Sequence, residues 1–103
     1  MSKGPLTRTV TVRNEQGLHL RPAGTLVKVA SQFESTISIS KGGSEDFDCK
    51  SILSLMTIGA AQGSELIVKA DGPDAENALR AIEDLFNGGF DESSQTDAKT
   101  VDS

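Results

Sequence analysis

Three stretches of the chain alternate between apolar and polar residues, the pattern typical of half-buried β-strands. They are "LTRTVTVR" at 6–13, "STISIS" at 35–40 and "SELIVKA" at 64–70. In the first stretch Arg8 falls on the apolar side, which indicates a position at the end of a sheet. "KGG" after the second stretch predicts a turn into a short strand through Phe47, and therefore a hairpin. The expected inward-facing residues are Leu6, Val10, Val12, Ile37, Ile39, Leu66, Val68 and Ala70.

Between these strands the apolar residues recur at helical spacing. The spacing predicts a helix over 20–32 with Pro22 in its first turn, where a missing N–H costs nothing. A short helix starts at Ser51, carries Ile52, Leu55, Met56 and Ile58, and ends at Gly59 or Gly63. A third helix follows Pro73 and closes on Gly88 and Gly89, with Ala75, Ala78, Leu79, Ile82, Leu85 and Phe86 on one face.

The resulting order, β-α-β-β-α-β-α, predicts an α+β fold in which one four-stranded antiparallel sheet is covered on one face by three helices, an open-faced β-sandwich. The domain is expected over residues 1–90. Residues 91–103, "DESSQTDAKTVDS", hold one sizeable apolar side chain, so we expect a disordered acidic tail.

Composition narrows the class of protein. The chain has 103 residues, a formal net charge of -5 and 36% hydrophobic residues, which fits one small domain, and a monomer is expected. Acidity and the absence of Trp and Tyr argue against nucleic-acid binding. With neither a membrane-length apolar run nor a signal-peptide core, we expect a cytoplasmic protein that does not insert into membranes.

A single cysteine, Cys49, excludes an internal disulfide and a Cys-rich metal site, and we expect it to be a partly buried apolar residue.

The segment "QGLHLRPAG" at 16–24 contains the one histidine, His19, at the predicted start of the first helix. The positive end of the helix disfavours a cationic imidazole, so a ring nitrogen stays available as a nucleophile. A phosphoryl group accepted there would be held by the helix amides and by Arg21. Gly17 is expected to leave space for an approaching partner.

Other interpretations of His19 remain open from spacing alone. An ordinary surface histidine followed by a solvated Arg21 is the simpler case. An independent hydrolase or kinase is disfavoured, since the chain has neither a phosphate-binding Gly-rich loop with lysine nor a second histidine or metal cluster. Spacing alone favours the surface histidine. If His19 is a nucleophile, the segment favours a relay that needs no cofactor and no metal over an enzyme that completes its own chemistry.

"GLHLRPAG", the following helix and "KSILSLMTIGAAQGSELIVKADGPDAENAL" resemble the HPr family, the histidine-containing phosphocarriers of the bacterial sugar phosphotransferase system, over residues 6–90. The resemblance implies the open-faced sandwich and phosphorylation of His19 on Nδ1, with Arg21 assisting transfer. It implies Enzyme I, charged by phosphoenolpyruvate, as donor and Enzyme IIA as acceptor. Gln16 and Leu20 depart from the family's common asparagine and threonine or alanine, and Leu20 is expected to enlarge the docking patch.

The same resemblance makes Ser51 a regulatory site for an ATP-dependent HPr kinase/phosphorylase, whereas the residues alone indicate only a helix N-cap. It also maps a partner-docking surface onto Leu20, Gly24, Lys28, Ile52, Leu53 and Met56. Ile52 and Met56 could instead belong to the core. One narrow helical stripe cannot bury all the apolar residues of 52–58, and Leu53 is the expected exposed one.

Two alternatives to the sugar branch remain. "LFNGGFDE" resembles the end of the nitrogen-branch carriers, whereas "KSILSLM" resembles the regulated sugar branch. The chain could also be a regulatory binding module whose output depends on phosphorylated Ser51, although the presence of His19 argues against that as its sole role.

Overall fold

A computed structural model describes residues 4–42 and 45–91, and within them the predicted order of elements is confirmed. The strands are β1 (Leu6–Thr11), β2 (Thr36–Lys41), β3 (Phe47–Asp48) and β4 (Glu65–Asp71). The helices are α1 (Leu20–Ala30), α2 (Ile52–Ile58) and α3 (Ala75–Asn87), followed by a 3-10 turn at Gly89–Asp91. The strands form one antiparallel sheet in the order β1-β4-β2-β3, so β2 and β3 make the expected hairpin.

The core lies between this sheet and the helices. Central strand β4 buries Leu66, Val68 and Ala70 completely, and Ile67 on the opposite side is 37% exposed, as alternation predicts. Helix α3 packs on β1 and β4, and α1 packs on both other helices. The open-faced sandwich is thereby confirmed.

Two elements are shorter than the sequence indicates and a third is shifted by one residue, each for a local reason. Strand β1 stops at Thr11, and Val12 instead exchanges backbone hydrogen bonds with the loop before β4. Helix α1 stops at Ala30, where the Ser31 amide donates to the Val27 carbonyl and a tight turn follows. Strand β2 starts at Thr36 because the preceding residue, Ser35, is bound to Asp74.

The chain beyond α3 is held by an aromatic contact that the apolar pattern did not predict. Phe90 is 7% exposed, and its backbone adopts a left-handed conformation with φ 57°. Its ring meets Phe86 edge-on, with centroids 4.8 Å apart at 73°. The predicted tail, 91–103, lies outside the described residues except for Asp91, which completes the 3-10 turn.

Two acidic residues make tertiary contacts that the one-dimensional pattern does not reveal. Arg8 in β1 donates to Glu83 of α3 at 2.8 Å, which explains a cation on the apolar side of that strand. Asp74 is the N-cap residue of α3, but its side chain makes no capping bond. Its carboxylate accepts instead from the Ser35 hydroxyl at 2.6 Å and from the amides of Glu34 and Ser35, each at 2.9 Å. This cluster ties the loop before β2 to the start of α3.

Asp74→Asn is expected to lower the stability of the fold near neutral pH. The Ser35 hydroxyl and the two loop amides lower the pKa of Asp74, so the folded state favours the ionised carboxylate. That contribution is complete above the unfolded-state pKa of about 3.9 and is lost as pH falls through the lower folded-state pKa. Thermal unfolding should therefore separate the two proteins at pH 7 and much less at pH 2. Glu76→Gln, in the first turn of the same helix, is the control, and an equal loss there would contradict the assignment.

Candidate functional site

His19 lies at the junction between a tight loop and α1. It is the N-cap residue, with an extended backbone (φ -93°, ψ -169°) and a carbonyl that accepts from the Ala23 amide at 3.0 Å. Its imidazole makes no capping hydrogen bond and the residue is half-buried. The amides of the first turn point toward this end of the helix, and Pro22, buried, contributes no N–H there. The predicted position of the histidine at a helix N-terminus is confirmed.

The loop before His19 is closed by short hydrogen bonds. The Gly17 amide donates to the Asn14 carbonyl at 3.1 Å, and the Asn14 side-chain amide donates back to the Gly17 carbonyl at 2.6 Å. The His19 amide donates to the same Gly17 carbonyl at 3.0 Å. The sequence indicates only that Asn14 belongs to a loop. In the structure it is 5% exposed, and its hydrogen bonds to Gly17 stabilise the turn before His19. Because Asn14 is polar and lies between Arg13 and Glu15 in the sequence, the pattern of apolar residues does not predict its burial.

The expectation that Gly17 leaves room for a partner is wrong. Gly17 is buried, has φ +74°, and faces the loop that follows α2. A Cβ there would overlap the Ala60 carbonyl oxygen and reach within 3.0 Å of Ala61 Cα. Glycine is required because two segments of the same chain meet at this point.

The other α1 residues implied by the resemblance are accessible. Arg21 is exposed in the first turn, and Lys28 is exposed in the last turn. Leu20, 62% exposed, directly follows His19, so an apolar side chain in water adjoins the histidine. A Cβ added at Gly24 would meet nothing within 4 Å, which indicates an open helix surface.

Helix α2 divides its apolar residues between the core and solvent. Leu55 and Ile58 are buried, whereas Leu53 is 80% exposed, the most exposed large apolar residue among those described. Ile52 and Met56 are 37% and 40% exposed, so the alternative that they belong to the core is wrong. Because α2 packs on α1, the exposed apolar residues of the two helices lie on neighbouring elements.

Ser51 is the N-cap residue of α2, as expected, and its hydroxyl accepts from the Ser54 amide at 3.3 Å. The turn before it is built by Asp48, which accepts from the amides of Lys50 and Ser51. Lys50 extends to the Phe33 carbonyl at 2.8 Å and so ties this turn to the end of α1. Ser51 itself is half-buried.

Cys49 is fully buried, and not partly buried as expected from sequence. Burial, with a smaller contribution from the neighbouring Asp48 carboxylate, raises the pKa of its thiol to about 12. The thiolate is the reactive form of cysteine, so this side chain packs and does not react.

Over residues 4–42 and 45–91, no three His, Cys, Asp or Glu side chains are grouped so as to hold a metal ion. None of the helices described is both long enough and apolar enough to cross a membrane.

Comparison with known proteins agrees with the fold. A family model described as the PTS HPr component phosphorylation site matches residues 6–88. The chain is 41% identical to phosphocarrier protein HPr of Treponema pallidum over 87 residues, 84% of this chain and 98% of that protein. It is 34% identical to phosphocarrier protein NPr of Escherichia coli K12 over 85 residues, 82% of this chain and 94% of that protein. The crystal structure of HPr-C-His from Thermoanaerobacter tengcongensis superposes with a TM-score of 0.78 at 36% identity, covering 82% of this chain and 94% of that one.

Sequence, fold and relatives together define a phosphocarrier protein of the bacterial phosphotransferase system. The chain belongs to the HPr family, whose model spans nearly all of the described structure.

Gly17→Ala and Gly24→Ala should have opposite effects on stability. At Gly17 the methyl group combines a left-handed backbone with overlap on the Ala60 carbonyl, for a loss of about 1–3 kcal/mol. At Gly24, inside α1 with open space around it, alanine should raise stability by about 0.5–1 kcal/mol. Urea unfolding of both variants measures the difference, and equal values would show that the Gly17 contact does not constrain the fold.

Proposed function

We propose that this protein accepts a phosphoryl group on His19 Nδ1 from Enzyme I, charged by phosphoenolpyruvate, and passes it to Enzyme IIA in sugar uptake. The observation that carries the proposal is the place of His19: an N-cap whose imidazole does not cap its own helix, directly before an exposed leucine. The protein acts as a carrier between enzymes and completes no reaction alone.

The electrostatics of α1 favour such a phosphoryl acceptor. The positive end of a helix stabilises a nearby negative charge by about 0.3–1 kcal/mol. A phosphoryl group on His19 would add negative charge at this end of α1 and gain from the same dipole. Arg21, exposed one residue beyond Leu20, supplies a guanidinium that assists transfer by pairing with phosphoryl oxygens.

The docking surface of this proposal lies on α1, the helix that begins at His19, and on its neighbour α2. Its six members, on α1 and α2, are Leu20, Gly24, Lys28, Ile52, Leu53 and Met56. Exposed apolar side chains on neighbouring helices are typical of a protein-binding patch, and one patch beside the histidine lets donor and acceptor bind in turn. Leu53, with 80% of its surface in water, is the central anchor.

His19→Ala is expected to abolish labelling by Enzyme I and radiolabelled phosphoenolpyruvate. The alanine has no ring nitrogen to accept the group, whereas wild type should acquire an acid-labile, base-stable phosphate. Gln32→Met, an exposed substitution beyond the far end of α1, is the control and should label fully. Equal labelling of His19→Ala and wild type would refute the proposal.

The nitrogen branch is the second candidate, favoured by the identity to NPr of Escherichia coli. Labelled protein presented separately to a sugar-type Enzyme IIA and a nitrogen-type acceptor distinguishes the branches. The sugar assignment predicts faster loss of label to the sugar-type protein, and the reverse order would assign the nitrogen branch. A purely regulatory binding module would acquire label on Ser51 from ATP but none on His19.

We propose further that an HPr kinase/phosphorylase modifies Ser51 and thereby weakens docking. Phosphate adds about two negative charges beside Ile52 and Leu53 without removing a cap acceptor. Ser51→Asp should keep the unfolding temperature, because aspartate also caps helices, and should lower kcat/KM for phosphorylation by Enzyme I roughly tenfold, about 1.4 kcal/mol. Ser51→Asn caps equally well without charge and should behave as wild type. Equal rates for the two variants would remove the electrostatic explanation.

A further inference from the structure

The loop that presents His19 is held mainly by the loop after α2. The ladder between β1 and β4 continues past both strand ends, because the Val12 amide donates to the Ser64 carbonyl at 2.9 Å and Gly63 donates back to Val12 at 2.8 Å. On the other side of the turn, the Leu18 amide donates to the Ala60 carbonyl at 3.0 Å. Residues 12–18 are therefore fastened at both ends to residues 60–64.

One side chain adds to this backbone fastening. Gln62 donates from Nε2 to the Arg13 carbonyl at 3.0 Å. Arg13 directly precedes Asn14, whose carbonyl and amide close the turn at Gly17, and that turn leads through Leu18 to His19. The Gln62 side chain therefore binds the chain where the turn begins, at Arg13, and the Ala60 carbonyl binds it where the turn ends, at Leu18.

The support that carries Gln62 is itself well anchored. The Ala61 amide donates to the Ser64 hydroxyl at 3.1 Å and the Ser64 amide donates back to the Ala61 carbonyl at 3.0 Å, which closes the loop on itself. Lys41 at the end of β2 reaches the carbonyl of Gly59, the residue that ends α2, at 3.4 Å. Because Gln62 lies in a loop that is itself held by these hydrogen bonds, its side chain can keep the Arg13 carbonyl in a fixed position.

We propose that Gln62 is a positioning residue for phosphoryl transfer: its side-chain amide holds the Arg13 carbonyl and so fixes the turn that presents His19. Gln62 and Arg13 are both exposed, so water replaces the hydrogen bond when it is lost and global stability changes little. Reaction rate, in contrast, is sensitive to small displacements of the reacting group. The inference rests on the proposed role of His19.

Gln62→Met removes the donor while keeping the length of the side chain. With the phosphocarrier as the varied substrate of Enzyme I, we expect kcat to fall about three- to tenfold, the worth of one hydrogen bond, with KM and unfolding temperature unchanged. Gln62→Lys should restore most of the rate, since a lysine can donate to a backbone carbonyl as Lys50 does to Phe33. Gln32→Met is the matched control and should behave as wild type.

Amide hydrogen exchange tests the same inference without phosphorylation. Gln62→Met should speed exchange at Gly17 and Leu18 and leave the amides of α3 unchanged. Unaltered kinetics and exchange in Gln62→Met would overturn the proposal, as would a raised KM at constant kcat or a general loss of protection. If wild type takes no label from Enzyme I, the proposed function fails, and local exchange still decides whether Gln62 holds the turn.

Discussion

The backbone hydrogen bond between the Leu18 amide and the Ala60 carbonyl sets the geometry on which the rest of the molecule depends. It joins the loop that enters α1 to the loop that leaves α2, so the start of one helix is placed relative to the end of the other. The close approach exists because Gly17 has no side chain and accepts a left-handed backbone. Because His19 follows Leu18 immediately, the same contact places the histidine near the loop that follows α2.

The two ends of the sandwich are closed by different chemistry. At the end remote from His19, the ionised carboxylate of Asp74 holds the loop before β2. At the histidine end, the neutral side-chain amides of Asn14 and Gln62 hold the turn through backbone carbonyls. Neutral braces suit the proposed phosphoryl acceptor, because the side-chain amides that hold the turn add no negative charge next to it.

Helix α2 has too many apolar residues for the contact area that a seven-residue helix offers. Leu55 and Ile58 complete the core, and Leu53 remains in solvent with Ile52 and Met56 partly covered. Exposure of large apolar side chains is unfavourable for an isolated small protein and useful for one that binds successive partners. The same short helix begins at Ser51, so a charge added at that serine would enter the apolar surface directly.

The sequence by itself determined the order of the elements, the inward face of each strand, and the position of His19 and Ser51 at helix starts. These features follow from apolar periodicity and from local capping, which neighbouring residues decide. Only the tertiary structure decided that Gly17 serves an internal contact, that Asp74 binds a loop instead of capping its helix, that Phe90 packs on Phe86, and that Ile52 and Met56 face solvent. Each of these depends on a partner distant in the chain or on competition for one buried surface, and neither leaves a periodic trace in the sequence.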